Sequence, residues 1–484
     1  MASTAAPVAA SSTARYDYKI PFVIAASSAG TTIEWYDFYL YAVLTPFLAP
    51  LFFPGKDFTT QLLFGLAAFG AGFAVRPFGA VVFGRIGDLI GRKFTFLLTI
   101  TLMGIATTLI GLLPTYAAIG VLAPILLVSL RLLQGLALGG EYGGAAIYIA
   151  EHAPDDRRGL YTSWIQTTAT IGLLLALIVL AATRLGLGDA AFKEFGFRIP
   201  FILSAVLVAL AIYIRLRLRE TPLFSRLKEQ GATSQSPLRE SLGDRANLRL
   251  VVLALLGMTA AQGVVWYQGQ FQALFFLQNV LGVKFTTAYL ILGTAIVLAT
   301  PFFVVFGRLS DAIGRKKVIL GGALIAAITY FPIYNLMFSA ANPIPNPKTD
   351  PAVTSTFIAQ NPNIIALIAL VFVQIIYVTM VYGPIAAFLV EFFPARIRYT
   401  SLSVPYHFGN GWFGGFLPLI AAGLASATGN IYAGLIYPIA VALMGVVIGG
   451  LLIRETKDRR IWDEVGGMAV PERVPGAVTE ATPG

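Results

Sequence analysis

Two acidic side chains and a phenol lie within the first long apolar stretch of the chain. Glu34, Asp37 and Tyr41 are spaced at i, i+3 and i+7, and this spacing places them on one face of a helix. Ionisable groups inside a membrane are energetically costly and usually serve protons, ions or substrate. We therefore predict that Glu34 or Asp37 binds a proton and that Tyr41 faces the substrate. The alternative for the acids is a structural salt bridge to another helix.

A polar stripe runs along a later apolar segment. Its members recur at helical spacing: Arg131, Gln134, Leu138, Glu141, Ala145 and Tyr148. A lone buried arginine requires an acidic partner, so Arg131 is expected to pair with Asp37 or Glu34. Arg131 and Gln134 are also predicted to contact substrate, and Glu141 is either a second titrating group or a structural acid.

Two more arginines are candidate substrate contacts. Arg76 precedes Pro77 inside an apolar segment, and this proline removes a helical hydrogen bond. Arg76 either binds an anionic ligand or pairs with Glu34. Arg198 opens a later span from the outside and is either a substrate gate or an interfacial residue whose charged end reaches water.

The second half of the chain carries uncharged polar groups instead. Gln262, Trp266 and Gln270 recur at i, i+4 and i+8, with Tyr267 beside them. Amides next to aromatic rings suit a binding wall, and contacts between helices are the alternative. Three further residues complete the predicted wall: Gln374, Tyr377 and Asn410. His407 is interpreted as a packed residue rather than a proton carrier.

A charged ten-residue motif occurs twice. Gly84-Arg-Ile-Gly-Asp-Leu-Ile-Gly-Arg-Lys93 returns as Gly307-Arg-Leu-Ser-Asp-Ala-Ile-Gly-Arg-Lys316, which predicts two like halves. Each copy reads as a short charged loop between apolar runs. We expect an ionic latch at the cytoplasmic mouth, built from Arg85, Asp88, Arg92, Lys93, Glu151, Arg158, Asp311 and Arg315.

The composition is that of a membrane protein. Of the 484 residues, 57% are hydrophobic and 12% are charged, against about 25% charged in soluble domains. Apolar stretches long enough to cross a bilayer follow one another, and no strand-like alternation of a barrel is present. We predict an all-α polytopic protein with twelve transmembrane helices in two pseudo-symmetric six-helix bundles.

The predicted organisation has five parts: an N-terminal tail (1–19), a first bundle (20–216), a linker (217–247), a second bundle (248–454) and a C-terminal tail (455–484). The net charge is +10. Of the 34 Lys and Arg, six fall on predicted outer segments and two, Arg76 and Arg131, within spans. The remainder lie on the inner side, which predicts that the tails and the linker are cytoplasmic. The basic residues are therefore topology signals rather than a nucleic-acid site.

Several classes of function are excluded. The chain has no cysteine, which removes thiolate catalysis and thiolate metal sites. His152 and His407 are too far apart for a metal-ligand motif. We expect neither a metal nor a cofactor, and without a catalytic set the protein is not an enzyme. A channel would need a polar pore with rings of charge, which the sequence does not show.

The sequence resembles the major facilitator superfamily over nearly its whole length. The resemblance rests on the paired motifs, on Arg131-Leu-Leu-Gln134-Gly135, and on Arg219-Glu-Thr221 echoed by Arg454-Glu-Thr456. Four further segments are similar to the metabolite:proton symporter family: Glu34-Trp-Tyr-Asp37-Phe, Ala74-Val-Arg76-Pro-Phe-Gly79, Gly140-Glu141-Tyr-Gly-Gly144 and Tyr406-His-Phe-Gly-Asn-Gly-Trp-Phe-Gly-Gly415.

The resemblance implies carriers such as those for α-ketoglutarate, citrate, shikimate and proline/betaine. In related sugar–proton symporters an aspartate on span one pairs with an arginine on span four, and Asp37 and Arg131 match those positions. The implied protein is a monomer in the lipid bilayer of the bacterial inner membrane. It works by alternating access between two bundles.

The expected function is proton-coupled symport of a small organic anion, because arginine binds carboxylates bidentately. One alternative is a zwitterion such as proline or a betaine, whose cation could enter an aromatic box of Trp266, Tyr267 and Trp412. Export of drugs or metabolites by antiport is a more distant alternative.

Overall fold

The computed structural model describes the polypeptide over residues 20–55, 58–216, 228–231, 234, 236–347 and 355–461. The predicted N-terminal tail 1–19, the first copy of the Arg-Glu-Thr motif at 219–221 and the C-terminal tail beyond 461 lie outside this range. The side chain of Arg92 also lies outside it.

Twelve long apolar helices, α1–α12, account for most of the described chain. Eleven of them are long and apolar enough to cross a membrane, and the first, with 33 residues, completes the set. The N-terminal half contains α1 (Ile20–Phe52), α2 (Thr60–Leu89), α3 (Arg92–Leu112), α4 (Leu122–His152), α5 (Asp155–Glu194) and α6 (Gly196–Leu216). The C-terminal half contains α7 (Arg245–Val280), α8 (Phe285–Ile313), α9 (Arg315–Ala341), α10 (Ile364–Phe392), α11 (Ala395–Thr428) and α12 (Ala433–Leu452).

Short elements join these helices. A helix at Tyr116–Ile119 precedes α4, and a π-helical turn at Arg239–Gly243 precedes α7. Strands β1 (Pro343–Pro345) and β2 (Phe357–Ala359) pair antiparallel between α9 and α10. The fold is thus the predicted arrangement of two six-helix bundles, and α7 begins three residues earlier than expected.

The repeated motif is mostly helical, so its description as a loop was wrong. Gly84–Leu89 is the last part of α2, and only Ile90 and Gly91 separate it from the next helix. In the second copy, Gly314 alone separates α8 from α9. Gly91 and Gly314 have φ values of 134° and 111°, which favour glycine. The charges are therefore held rigidly on helix ends.

Close packing of α2 against α4 fixes the centre of the N-terminal half. A Cβ added at Gly135 would lie 1.7 Å from the Gly72 carbonyl oxygen, and one at Gly79 would lie 2.0 Å from that of Leu136. Small residues let two helix backbones touch, which is how helices associate in lipid. This contact brings Arg76 of α2 and Arg131 of α4 to the middle of the molecule.

Helices α7 and α11 of the C-terminal half depart from regular geometry at their centres. Helix α7 contains π-helical turns at Leu255–Thr259, Gln268–Gln272 and Phe276–Val280, and α11 contains one at Gly409–Gly414. A π-helical turn rotates the residues after it about the helix axis and is common at functional sites. The α11 turn contains Asn410, which bonds the side chain of Gln262 between the first and second of the α7 turns.

The α2–α4 contact predicts the effect of adding one methyl group. Gly135→Ala should prevent the approach of the helices and lower the midpoint of thermal unfolding in detergent by several degrees. Gly321→Ala is the matched control, because Gly321 is helical with nothing within 4 Å of its Cβ position. Alanine there should be neutral or stabilising by up to ~1 kcal/mol. Equal effects at both positions would contradict the packing.

Candidate functional site

Arg76 is a buried cation that is not paired with any acid in the described part of the chain. Its guanidinium is fully inaccessible to solvent, and none of its three nitrogens forms a hydrogen bond of ordinary geometry to another described residue. The guanidinium carbon lies 5.6 Å from the Trp35 ring and 5.2 Å from the Phe73 ring. The predicted alternative of a pair with Glu34 is therefore wrong. Arg76 is left available for an anion.

Aromatic side chains from both halves surround Arg76. Trp266 stacks on Tyr39 at 5.4 Å and on Trp35 at 6.4 Å, and Tyr267 meets the Phe73 ring edge-on at 5.2 Å. Tyr267 and His407 both interact electrostatically with the Arg76 guanidinium. The structure thus places the predicted Tyr267 near Arg76, and the predicted Trp266 in the aromatic stack that includes Trp35. It also adds His407, whose two ring nitrogens are buried and form no hydrogen bond to another described residue.

Arg131 lies on the other side of the same aromatic cluster. Its Nη1 donates to the Gln134 side chain at 2.6 Å and to the Phe38 carbonyl at 3.4 Å. Its guanidinium carbon is 4.6 Å from the Tyr41 ring, while Nε and Nη2 form no hydrogen bond in the structure as described. Tyr267 interacts electrostatically with Arg131 as well as with Arg76. The Tyr267 ring therefore lies within reach of both cations.

The predicted ion pair between Asp37 and Arg131 is not formed. Asp37 is completely buried and lies near the Ser204 hydroxyl of α6. Neither carboxylate oxygen forms a hydrogen bond of ordinary geometry to another described residue. Arg131 instead packs on rings and bonds to Gln134. The centre therefore holds two arginines and one acid that are not paired with one another.

Glu34 and Glu141 are both bound to an arginine that the sequence analysis did not select. Arg215 donates from Nη1 to Glu34 Oε1 at 2.9 Å and from Nη2 to Glu141 Oε1. Thr31 donates its hydroxyl to the same Glu141 oxygen at 2.9 Å. Arg215 precedes the last residue of α6 and was counted among the basic residues of the cytoplasmic side. Gly30 makes room for this arginine, because a Cβ there would lie 2.6 Å from Arg215 Nε.

The other predicted substrate contacts divide into two groups. Gln262 and Asn410 exchange two side-chain hydrogen bonds, at 3.0 and 2.9 Å, across α7 and α11. Gln270 is buried with its amide unbonded within the described residues. Gln374, by contrast, packs on Met337 inside the C-terminal half, and Tyr377 accepts a hydrogen bond from Thr329 there.

Arg198 is not part of the central cluster. It donates to the Gly111 and Leu113 carbonyls at 2.8 and 2.7 Å, where α3 ends. A cation at a helix C-terminus satisfies carbonyls that have no helical partner. Trp412 is also displaced from the predicted aromatic box, because it is 43% exposed on α11 and donates to the Ala74 carbonyl.

The acids of the two repeated motifs cap helices of the opposite half. Asp88 accepts from the Thr400 backbone at 3.1 Å and from its hydroxyl at 2.7 Å, near the start of α11. Asp311 accepts from the Gly159 and Leu160 backbone at 2.8 Å each, near the start of α5. A carboxylate satisfies free N–H groups and the positive end of a helix. The duplicated motif therefore joins the two halves symmetrically at one end, the gate end.

Buried ion pairs reinforce this end. Glu391 of α10 accepts from Arg158 at 2.9 Å and from Arg315 at 3.0 Å, and Glu151 of α4 lies 4.0 Å from Arg398 of α11. Glu391 and Arg398 were missed by the sequence analysis. The signal was a second repeat, Glu-x-x-Pro-x-x-x-Arg, which runs from Glu151 to Arg158 and again from Glu391 to Arg398.

The remaining members of the predicted latch have other positions. Lys93 binds the Leu216 carbonyl at the end of α6, as Lys316 binds the Gly450 carbonyl of α12. Arg85 is exposed on the surface. Glu455, from the second Arg-Glu-Thr motif, accepts from the Arg315 backbone at 2.8 Å. The first residues of the predicted C-terminal tail are therefore folded against the gate end.

Comparison with known proteins assigns the family. A family model described as sugar (and other) transporter matches residues 22–250, and one described as MFS/sugar transport protein matches residues 144–396. The inner membrane metabolite transport protein YhjE of Escherichia coli is 34% identical over 91% of this chain and 95% of its own length. The chain belongs to the major facilitator superfamily.

Other relatives agree with this assignment. The α-ketoglutarate permease of E. coli is 34% identical over 91% of this chain and 95% of its own. The proline/betaine transporter of Salmonella typhimurium is 32% identical over 92% of this chain and 85% of its own. The solved proton:xylose symporter XylE has the same fold, with a TM-score of 0.69 and 18% identity over 92% of this chain and 98% of that one. The protein is thus an integral inner-membrane transporter rather than an enzyme, which confirms the predicted superfamily and fold.

In this structure the central cluster of Arg76, Arg131 and Asp37 is closed off from solvent at both ends of the molecule. The gate end is held by the contacts of Asp88, Asp311 and Glu391. At the opposite end Tyr289 of α8 donates to the Val43 carbonyl of α1 at 3.2 Å. Arg76, Arg131 and Asp37 are consequently inaccessible to solvent. Movement of the two halves is required before any solute reaches them.

Glu391 should keep the gate end closed. The chain has no cysteine, so Ser403→Cys places a single thiol at a buried position of α11 that faces Gly143 of α4. Removing the Glu391 charge leaves two buried guanidiniums short of an acceptor. In the Glu391→Gln background, labelling of this thiol by a membrane-impermeant maleimide in nanodiscs should rise at least about tenfold (about 1.4 kcal/mol).

The control for this experiment is Glu240→Gln in the same single-cysteine background. Glu240 pairs with Arg396 near the surface. Burial alone would raise its pKa, but hydrogen bonds from Ser234 and Arg396 hold the pKa below its usual value. A surface pair contributes about 0–1 kcal/mol, so labelling should change little. If the thiol is labelled equally slowly in both variants, Glu391 does not keep the gate end closed.

Proposed function

We propose that this protein carries a small organic anion together with protons across the inner membrane by alternating access. The observation that supports this most is Arg76, a buried guanidinium with no acidic partner among the described residues. An unpaired buried charge is destabilising by several kcal/mol. A substrate carboxylate would supply the missing partner and would be bound bidentately.

Asp37 is proposed as the proton site. Its carboxylate lies in the same half as Arg76 and Arg131, and it is buried without a hydrogen bond of ordinary geometry to another described residue. Ionised, it attracts Arg131 and competes with an anionic substrate; protonated, it leaves both arginines free for that substrate. Glu34 and Glu141 are the alternative proton sites, and both already bind Arg215.

The charges of the site favour an anion over a zwitterion. Two arginines against one acid leave a net positive centre, and the named substrate of one relative, α-ketoglutarate, is an organic anion. The zwitterion remains the second candidate, because another relative is a proline/betaine transporter. The stack of Trp35, Tyr39 and Trp266 could hold the cationic end of such a solute. Drug export by antiport has no support of this kind.

The proposed orientation places the gate end and both termini in the cytoplasm, as the distribution of basic residues predicts. The proposed functional unit is the monomer, since the central residues come from the two halves of a single chain. Protons and substrate would enter from the end opposite the gate and leave past Asp88, Asp311 and Glu391.

Uptake into proteoliposomes tests the substrate class. An inward proton gradient should drive accumulation of one or more mono-, di- or tricarboxylates in preference to proline and betaine. Arg76→Gln should lower uptake at least about 100-fold, because two charge-assisted hydrogen bonds are lost. Arg198→Gln is the matched control and should retain uptake. Accumulation of proline or betaine alone would favour the second candidate, and uptake of none of these solutes would refute symport.

Asp37→Asn tests the proton site in the same vesicles. The amide imitates the protonated acid, so exchange of labelled for unlabelled substrate should continue. Gradient-driven accumulation should fall, because the proton of this position is no longer bound and released. Accumulation that is undiminished in Asp37→Asn would transfer the proton site to Glu34 or Glu141.

A further inference from the structure

Glu34, Glu141 and Arg215 form a buried triad one helical turn from Asp37. The three side chains are 1–3% exposed, and they join α1, α4 and α6 of the N-terminal half. Each acid offers its Oε1 to Arg215, and Glu141 Oε1 also accepts from Thr31. Glu34 Oε2 is buried without a hydrogen bond to any described residue.

The charges of the triad do not balance. Two ionised carboxylates beside one guanidinium leave an excess negative charge in an apolar environment, which is destabilising by several kcal/mol. A single proton shared by the two carboxyl groups removes that excess and leaves the bond to Arg215 intact. Pairs of neighbouring carboxyl groups commonly hold one proton in this way.

The groups that face the triad come from several helices. Asp37 lies one turn further along α1, and Lys93 of α3 binds the Leu216 carbonyl next to Arg215. From the C-terminal half, Tyr382 of α10 interacts electrostatically with both Glu141 and Arg76. Its hydroxyl is 2.6 Å from the Tyr406 hydroxyl of α11. Tyr382 thus lies within electrostatic range of both the triad and the proposed substrate site.

We infer that Glu34 and Glu141 share a second proton, which is carried in the transport cycle in addition to that of Asp37. This inference rests on the proposed proton symport. Arg215 is the penultimate residue of α6 at the gate end, so opening of that end admits water to the triad. Hydration stabilises the excess negative charge, and the proton then leaves to water on the gate side. Closure removes the water and restores the affinity for a proton.

The proton-to-substrate ratio, measured from the reversal potential in proteoliposomes, tests this second site. Glu34→Gln and Glu141→Gln each make the triad neutral without a proton, so each should lower the ratio by one relative to the wild type. Glu229→Gln is the matched control, because Glu229 is exposed on a segment away from the spans. It should leave the ratio unchanged. A purely structural role would lower thermal stability and leave the ratio as it is.

A second measurement covers variants that do not transport. The infrared C=O band of a protonated carboxyl group, recorded on purified protein without substrate, should be weaker in both glutamine variants than in Glu229→Gln. Part of it should persist in Asp37→Asn. An unchanged ratio, or an unchanged band where transport is absent, overturns the shared proton while symport stands. Wild-type uptake without proton movement would instead overturn the proposed symport.

Discussion

The structure depends on the high energy of an unpaired charge inside an apolar helix bundle. Arg76, Arg131 and Asp37 are fully buried and are not paired with one another, although each could be neutralised by a partner in the same half. Packing of rings on the two guanidiniums offsets only part of that energy. The arrangement is best explained if the missing partners are transient, with a carboxylate of the cargo for the arginines and a proton for Asp37.

The same constraint explains how the closed state is held. At the gate end, buried charges are paired across the two halves: Asp88 and Asp311 cap helices of the opposite half, and Glu391 binds Arg158. When the two halves move apart, the partners from opposite halves separate and become hydrated. The desolvation penalty of an unpaired charge is therefore avoided in the open state. Paired charges at the gate and unpaired charges at the centre thus have distinct roles in one cycle.

The sequence predicted much of this architecture and less of the site. The duplicated motif indicated two like halves. It also placed Asp88 and Asp311 at the same end of the molecule, because an even number of predicted spans separates the two copies of the motif. It could not show which residue each acid binds. The partner of Asp88 includes the Thr400 backbone amide, and any residue at that position would supply such an amide. Glu34 pairs with Arg215 because of the way α6 is rotated about its own axis. Helix α6 is apolar on nearly every side, so its periodicity does not specify which face is turned inward.

Residue type was also an incomplete guide to position. Arg198, Gln374 and Tyr377 are polar groups on spans like Arg76, yet they cap a helix end or pack within one half. His407, interpreted from the sequence as a packed residue, is fully buried and also interacts electrostatically with Arg76. Such distinctions arise from close backbone contacts, such as that of Gly135 with Gly72, that fix the register between helices.

The central claim is that the anion and the proton bind together at the buried charges. Trp35 lies 5.6 Å from the Arg76 guanidinium carbon and Trp266 stacks on Trp35, so tryptophan fluorescence should report substrate binding to the purified protein. The dissociation constant of the transported anion should rise with pH, by up to about tenfold per unit for each linked proton, and this dependence should be less steep in Asp37→Asn than in the wild type. A dissociation constant that is independent of pH in the wild type would contradict the account.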